Sequence, residues 1–149
     1  MLKYGFVHRE NKKIIMLVPK RAKHRKTFRG KNRGNANRGI SLDFGDFGLV
    51  SLAHGYLTSR QIEAARRAVA HYTKRGGRLW IRIFPDKPLT KKPPEVTMGS
   101  GKGDVYEYAV AIKPGRVMFE IGGVTEDIAK QAFKLAADKL PVKTRFITE

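Results

Sequence analysis

Two short stretches of this chain hold residue types that could do chemistry, and both point at phosphate. The first spans residues 19–38, PKRAKHRKTFRGKNRGNANR. Nine cations stand in it, Lys20, Arg21, Lys23, Arg25, Lys26, Arg29, Lys31, Arg33 and Arg38, together with His24 and no carboxylate. Guanidinium groups take phosphate oxygens in pairs, ammonium groups supply point charge, and glycines let a backbone come close. The second stretch is MGSGKG: Met98, Gly99, Ser100, Gly101, Lys102 and Gly103. Backbone N–H groups bared by glycine, with one ammonium, can lie against a sugar–phosphate chain.

Neither stretch reads as an active site. A nucleotide-binding P-loop needs glycine five positions before Gly101, where Val96 stands, and Ser or Thr after Lys102, where Gly103 stands. It also needs a helix to follow, and the pattern after Gly103 is that of a strand. The four histidines (His8, His24, His54, His71) have no metal-ligand spacing, and no nucleophile–base set can be assigned. No cysteine is present, which excludes disulfides, cysteine-ligated zinc and thiol nucleophiles, and fits a reducing compartment. The residues call for no cofactor, no metal and no catalysis. They call for binding.

The charge balance says where. The 149 residues carry a formal +18. Residues 1–39 hold +12 of it, thirteen cations against Glu10 alone, and residues 40–149 hold the remaining +6. A segment so charged cannot bury enough apolar surface to offset its ordering entropy, so alone it should be extended and mobile. A dense polyanion would hold it, and nucleic acid fits best. The plainer alternative is a solvated tail without a partner.

Length allows one domain plus an arm. We divide the chain into an N-terminal extension (1–15), a basic arm (16–39) and a folded domain (40–149). Met16 could serve as a second start; a first strand packed on the domain is the other reading of residues 1–15. No apolar run approaches the roughly 18 residues of a membrane span, and residues 14–18 lack a signal-cleavage pattern, so a soluble, unexported protein is expected.

Within the domain, residues 40–53 read as two short strands broken at Gly45 and Gly48. Thr58 and Gln61 form a capping box opening a helix, Gly76-Gly77 stops it, and Ile62, Ala65, Val69 and Tyr72 make its apolar stripe. Arg67 lies off that stripe, placed for an i,i+4 pair with Glu63. It belongs either to a solvated face or to a second phosphate-contacting surface. Residues 79–84 (LWIRIF) and 105–113 (VYEYAVAIK) read as strands. Pro114-Gly115 turns the second of these into a hairpin with residues 117–121. Thr125 caps a second helix, with Ala129, Ala132, Phe133, Ala136 and Leu140 buried, and residues 142–148 form a last strand. Residues 85–104, rich in Pro and Gly, are left as one long loop. The fold class is α+β: two helices packed on one face of a mostly antiparallel sheet, plus an extended basic N-terminal arm and a long Pro/Gly-rich loop.

The segments PKRAKHRKTFRGKNRG, LTSRQIEAARRA, WIRIFPDKP, MGSGKG and FKLAADKLPVKTRF occur here in the order found in the L-sixteen family of large-subunit ribosomal proteins of bacteria and chloroplasts. The resemblance runs from residue 16 to the C-terminus; residues 1–15 lie outside it. It implies a structural constituent of the large ribosomal subunit, bound to 23S-type rRNA near the A-site cleft. The arm, residues 20–33, would penetrate rRNA, and residues 98–103 would face A-site tRNA, with P-site tRNA a second candidate. Neighbouring large-subunit proteins are implied partners, and a membrane is not. The place would be the cytoplasmic ribosome, or the organelle stroma if chloroplast-encoded. One departure stands out: the family usually has Arg before Met98, and here it is Thr97. The alternative reading is a free RNA-binding or ribosome-assembly factor.

Overall fold

The structure is a computed structural model and describes residues 16–149. The proposed extension, residues 1–15, lies outside the described residues. In chain order the elements are β1 (Phe47–Ser51), β2 (Gly55–Thr58), α1 (Ser59–Tyr72), β3 (Arg78–Ile81), β4 (Lys87–Lys91), β5 (Asp104–Ile112), β6 (Val117–Gly122), α2 (Glu126–Ala137) and β7 (Thr144–Thr148). Two helices and wholly antiparallel pairings make this an α+β fold. None of the helices is long and apolar enough to cross a membrane, among the described residues.

The strands form two sheets instead of one. One has the order β3-β6-β1-β7 and the other β2-β5-β4. The expected hairpin between residues 105–113 and 117–121 is absent: β5 pairs with β2 and β4, and β6 with β1 and β3. The turn at Pro114-Gly115 does form, but its backbone groups go elsewhere. Gly115 N donates to Ser51 O at 2.8 Å, Ser51 N to Arg116 O at 3.0 Å, and Val117 N to Gly39 O at 2.9 Å. With those partners taken by β1 and the arm, the chain turns a corner between sheets.

The long loop is also shorter than expected, because β4 lies inside it. Pro88 stands in that strand, and proline donates nothing to a ladder. But β4 is an edge strand, where a missing donor can be tolerated. What remains irregular is residues 82–86, because β3 ends at Ile81 and not at residue 84 as expected, and residues 92–103.

Helix α1 starts as its sequence dictates. Gln61 N donates to Thr58 Oγ1 at 3.4 Å and Thr58 N to Gln61 Oε1 at 3.0 Å, so the capping box closes. Ile62, Ala65 and Val69 are buried, while Tyr72, at the last helical residue, is exposed. Thr125 is the N-cap of α2, but its side chain makes no capping hydrogen bond; Glu126 and Asp127 favour the helix dipole instead. Ala129, Ala132, Phe133 and Ala136 are buried as their spacing requires, and Leu140 falls beyond the helix end, half-buried. These faces meet Leu49, Leu57, Ile112, Phe119 and Ile121 in one core cluster. The helices and the two sheets thus hold a rigid platform on which residues 16–46 lie without regular structure.

Candidate nucleic-acid interface

The arm is attached to the domain largely through its backbone. Arg29 O accepts from Tyr56 Oη at 3.2 Å and from Lys87 Nζ. Thr27 O accepts from Lys102 Nζ, and Arg38 O from Arg116 Nη1 at 2.6 Å. His54 Nε2 stands 2.9 Å from Gly34 O, as a donor when that nitrogen carries the proton. Ala36 N donates to Pro114 O at 2.9 Å. Two arm side chains also anchor, Lys26 and Asn32; Asn32 Nδ2 donates to Ile112 O at 2.7 Å and to Gly55 O at 3.3 Å. The domain therefore meets a strongly basic segment with its own cations, yet directs them at carbonyl oxygens, which accept them. Gly39 allows one such approach. Its φ is +61°, and a Cβ there would fall 2.3 Å from Arg116 Nη1.

Fastening by backbone leaves the charged heads outside. Lys20, Arg21, Lys23, Arg25, Arg29, Lys31, Arg33 and Arg38 are all exposed. The ninth, Lys26, is half-buried and pairs with Asp104 Oδ1 at 3.2 Å. A cleft of about 720 Å³, lined by Leu17 and residues 35–38 on one side and by Ile81, Ile83, Phe84 and Val110 on the other, runs beneath the arm's last part.

The glycine loop meets the same arm. Gly99, Ser100 and Gly101 have φ of +103°, +52° and +93°, a left-handed run that two of the three residues adopt without steric cost. Met98 is 93% exposed, and Gly99 O is held by Lys92 Nζ. Lys102 turns back: besides its bond to Thr27 O, its ammonium lies 5.1 Å from the ring centroid of Phe28. Lys26 Nζ in turn donates to Lys102 O at 3.1 Å. Gly103, half-buried, packs against β4, where a Cβ would come within 2.7 Å of Lys91 O. The bared part of the loop is thus Met98, Gly99, Ser100 and Gly101.

Arg67 stands apart. Glu63 accepts from Arg67 Nε at 2.9 Å and from Arg66 at 2.7 and 2.8 Å. The Arg66 hydrogen bond, against the opposing effect of burial and with help from Arg67, holds the Glu63 carboxyl below its usual range; the same contact raises the Arg66 guanidinium. Among the described residues no hydrogen bond joins Arg67 to the arm.

Sequence reasoning leaves Arg82 open between a pair inside the sheet and exposure to rRNA, and it does not find the partner Glu120 that shapes the approach to the domain. Glu120 is fully buried on β6 and accepts backbone N–H groups from Phe44 at 2.8 Å, Gly45 at 3.1 Å and Asp43 at 3.4 Å. Arg82 pairs with both Glu120 and Asp43 and lies 5.0 Å from the Phe44 ring centroid. Arg116 then bridges Arg82 O, at 3.1 Å, to the arm. The available signal was a lone opposite charge in each of two apolar strands, LWIRIF and VMFEI, which a buried pair explains.

The site is an α+β platform with a cationic strap fastened by its carbonyls. Residues 19–147 match the family model for ribosomal protein L16p/L10e, and the chain belongs to that family. It is a ribosomal protein and not an enzyme, as its motifs implied. It is 58% identical over 133 residues to the large ribosomal subunit protein uL16 of Stenotrophomonas maltophilia (strain R551-3), covering 89% of this chain and 97% of that relative.

Proposed function

We propose that this chain is a structural constituent of the large ribosomal subunit, that residues 20–38 hold 23S-type rRNA near the A-site cleft, and that residues 98–103 approach A-site tRNA. The observation that carries the proposal is the separation of tasks within the arm. Its carbonyls are occupied by the domain, and eight of its nine cations are exposed. Phosphates would meet a charged row already laid on a rigid surface, which lowers the entropy of ordering on binding. Arg67, its charge shared with Glu63, contributes little to this reading. At the loop, Met98, Gly99, Ser100 and Gly101 offer backbone and no bulky charge, so tRNA would be met by shape more than by sequence. Thr97 supplies no cation at the loop's root.

Deleting residues 100–102 tests the tRNA part. The variant should remain on assembled large subunits, because shortening a loop changes closure entropy little and the arm, though it loses its contact with Lys102, keeps its anchors to Tyr56, Lys87, Ile112 and Arg116. A-site tRNA accommodation should slow for all tRNAs alike, and Lys102→Glu should be worse than Lys102→Ala because it adds repulsion. Accommodation at the wild-type rate, or an effect confined to one tRNA, would overturn this role for the loop.

A further inference from the structure

Phe28 is 92% exposed, in the middle of the arm, which is costly for a large apolar ring unless a partner covers it. It is also held in place. The residue before it, Thr27, is fixed by Lys102 through its carbonyl, and the same ammonium sits 5.1 Å from the Phe28 centroid, a cation–π distance. Lys102 is steadied in turn by Lys26, which reaches its carbonyl and Asp104. The ring is therefore presented from an anchored stretch of backbone, with a cation beside it and Arg25, Arg29 and Lys31 exposed close by in the chain.

We propose that Phe28 is a stacking site for one unpaired nucleobase of RNA. This rests on the reading of the arm as an rRNA-binding segment, and adds a base contact to what would otherwise be phosphate contacts alone. The occupant follows from charge complementarity. An apolar protein surface covering Phe28 would have to strip water from the cations around it, whereas a nucleotide offers a flat π face for the ring and a phosphate for Arg29 or Lys31. Such stacking tolerates any base, because each has a π face.

The test uses the full chain and two short RNA probes of equal length, an oligoadenylate and its abasic counterpart. The wild type should bind the oligoadenylate more tightly by roughly five- to 150-fold, the range of one base–aromatic stack. Phe28→Ala and Phe28→Leu should remove that preference, leaving the abasic affinity and its salt dependence unchanged, and Phe28→Tyr should retain it. Folding is not at stake at so exposed a position, and a thermal melt checks this directly. Equal binding of both probes by the wild type, with steep salt dependence, would overturn the stacking site and leave the arm's phosphate role standing. A preference that survives in Phe28→Ala would place the base elsewhere and assign the ring to a protein contact. Failure of the wild type to bind either probe would overturn the arm reading and this inference together.

Discussion

Lys26 and Lys102 are 76 positions apart and clasp each other's segments: Lys26 Nζ donates to Lys102 O at 3.1 Å, and Lys102 Nζ donates to the carbonyl of Thr27, next to Lys26. Two like charges are brought together because each finds a carbonyl, and Asp104 lies 3.2 Å from the first. The clasp joins the two stretches that carry the proposed function. Lys102→Ala should therefore loosen the arm around Thr27. In limited trypsin digestion of the free protein the arm, which has no helix or strand, should be cut before the domain. The variant should be cut several-fold faster after Lys26 and Arg29, with cleavage in the domain unchanged apart from the site after residue 102, which the substitution removes. Identical arm cleavage in both proteins would show that the clasp does not hold it.

Glu120 should be among the costliest residues to replace. Glu120→Ala leaves Arg82 without its buried partner and strips the acceptor from the N–H groups of Asp43, Phe44 and Gly45. Breaking a buried pair on one side typically costs about 3–5 kcal/mol. Urea unfolding should show a loss of that order, similar to that of truncating the core residue Phe133 to Ala, about 3–5 kcal/mol. A Glu120→Ala midpoint near the wild type would mean the carboxylate is dispensable.

The local signals were legible, and the long-range ones were not. The T-x-x-Q box at Thr58 and the alanine-rich stripe of α2 are each set within a single helix, so spacing alone sufficed. Strand β4 was not legible within the Pro- and Gly-rich residues 85–104, and whether its Pro88 is tolerated depends on the strand's place in the sheet, which no local pattern states. Pro114-Gly115 marked a real turn, but whether a turn makes a hairpin or a corner depends on partners as remote as Gly39 and Ser51. The candidate site divides in the same way. Its cations were plain in residues 19–38, whereas the anchors Asn32, His54, Tyr56 and Arg116 act on carbonyls that composition does not reveal.

The acid limb of stability should include a small contribution from α1. The folded-state pKa of Glu63 is depressed, chiefly by its hydrogen bond from Arg66. Its stabilising contribution is thus present above the ordinary glutamate range and is lost as pH falls through the depressed value. The arginines are substantially exposed, so the effect is at most about 1 kcal/mol. Glu63→Gln should lower stability by that order at neutral pH and converge with the wild type in acid. A constant difference across the whole pH range would remove the ion pair as its cause.

The salt dependence of rRNA binding tests the central claim most directly. Titration of the full chain against large-subunit rRNA over a range of monovalent salt gives the slope of log K against log[salt]. If six or more of the nine arm cations meet phosphates, at the roughly 0.7 per contact of single strands, that slope should be roughly −4 to −6, and it should become shallower by about 0.7 for each exposed arm cation replaced by Ala. A slope near −1, or one that stays the same when Arg21, Arg25 and Arg33 are replaced, would contradict the assignment of the arm to rRNA.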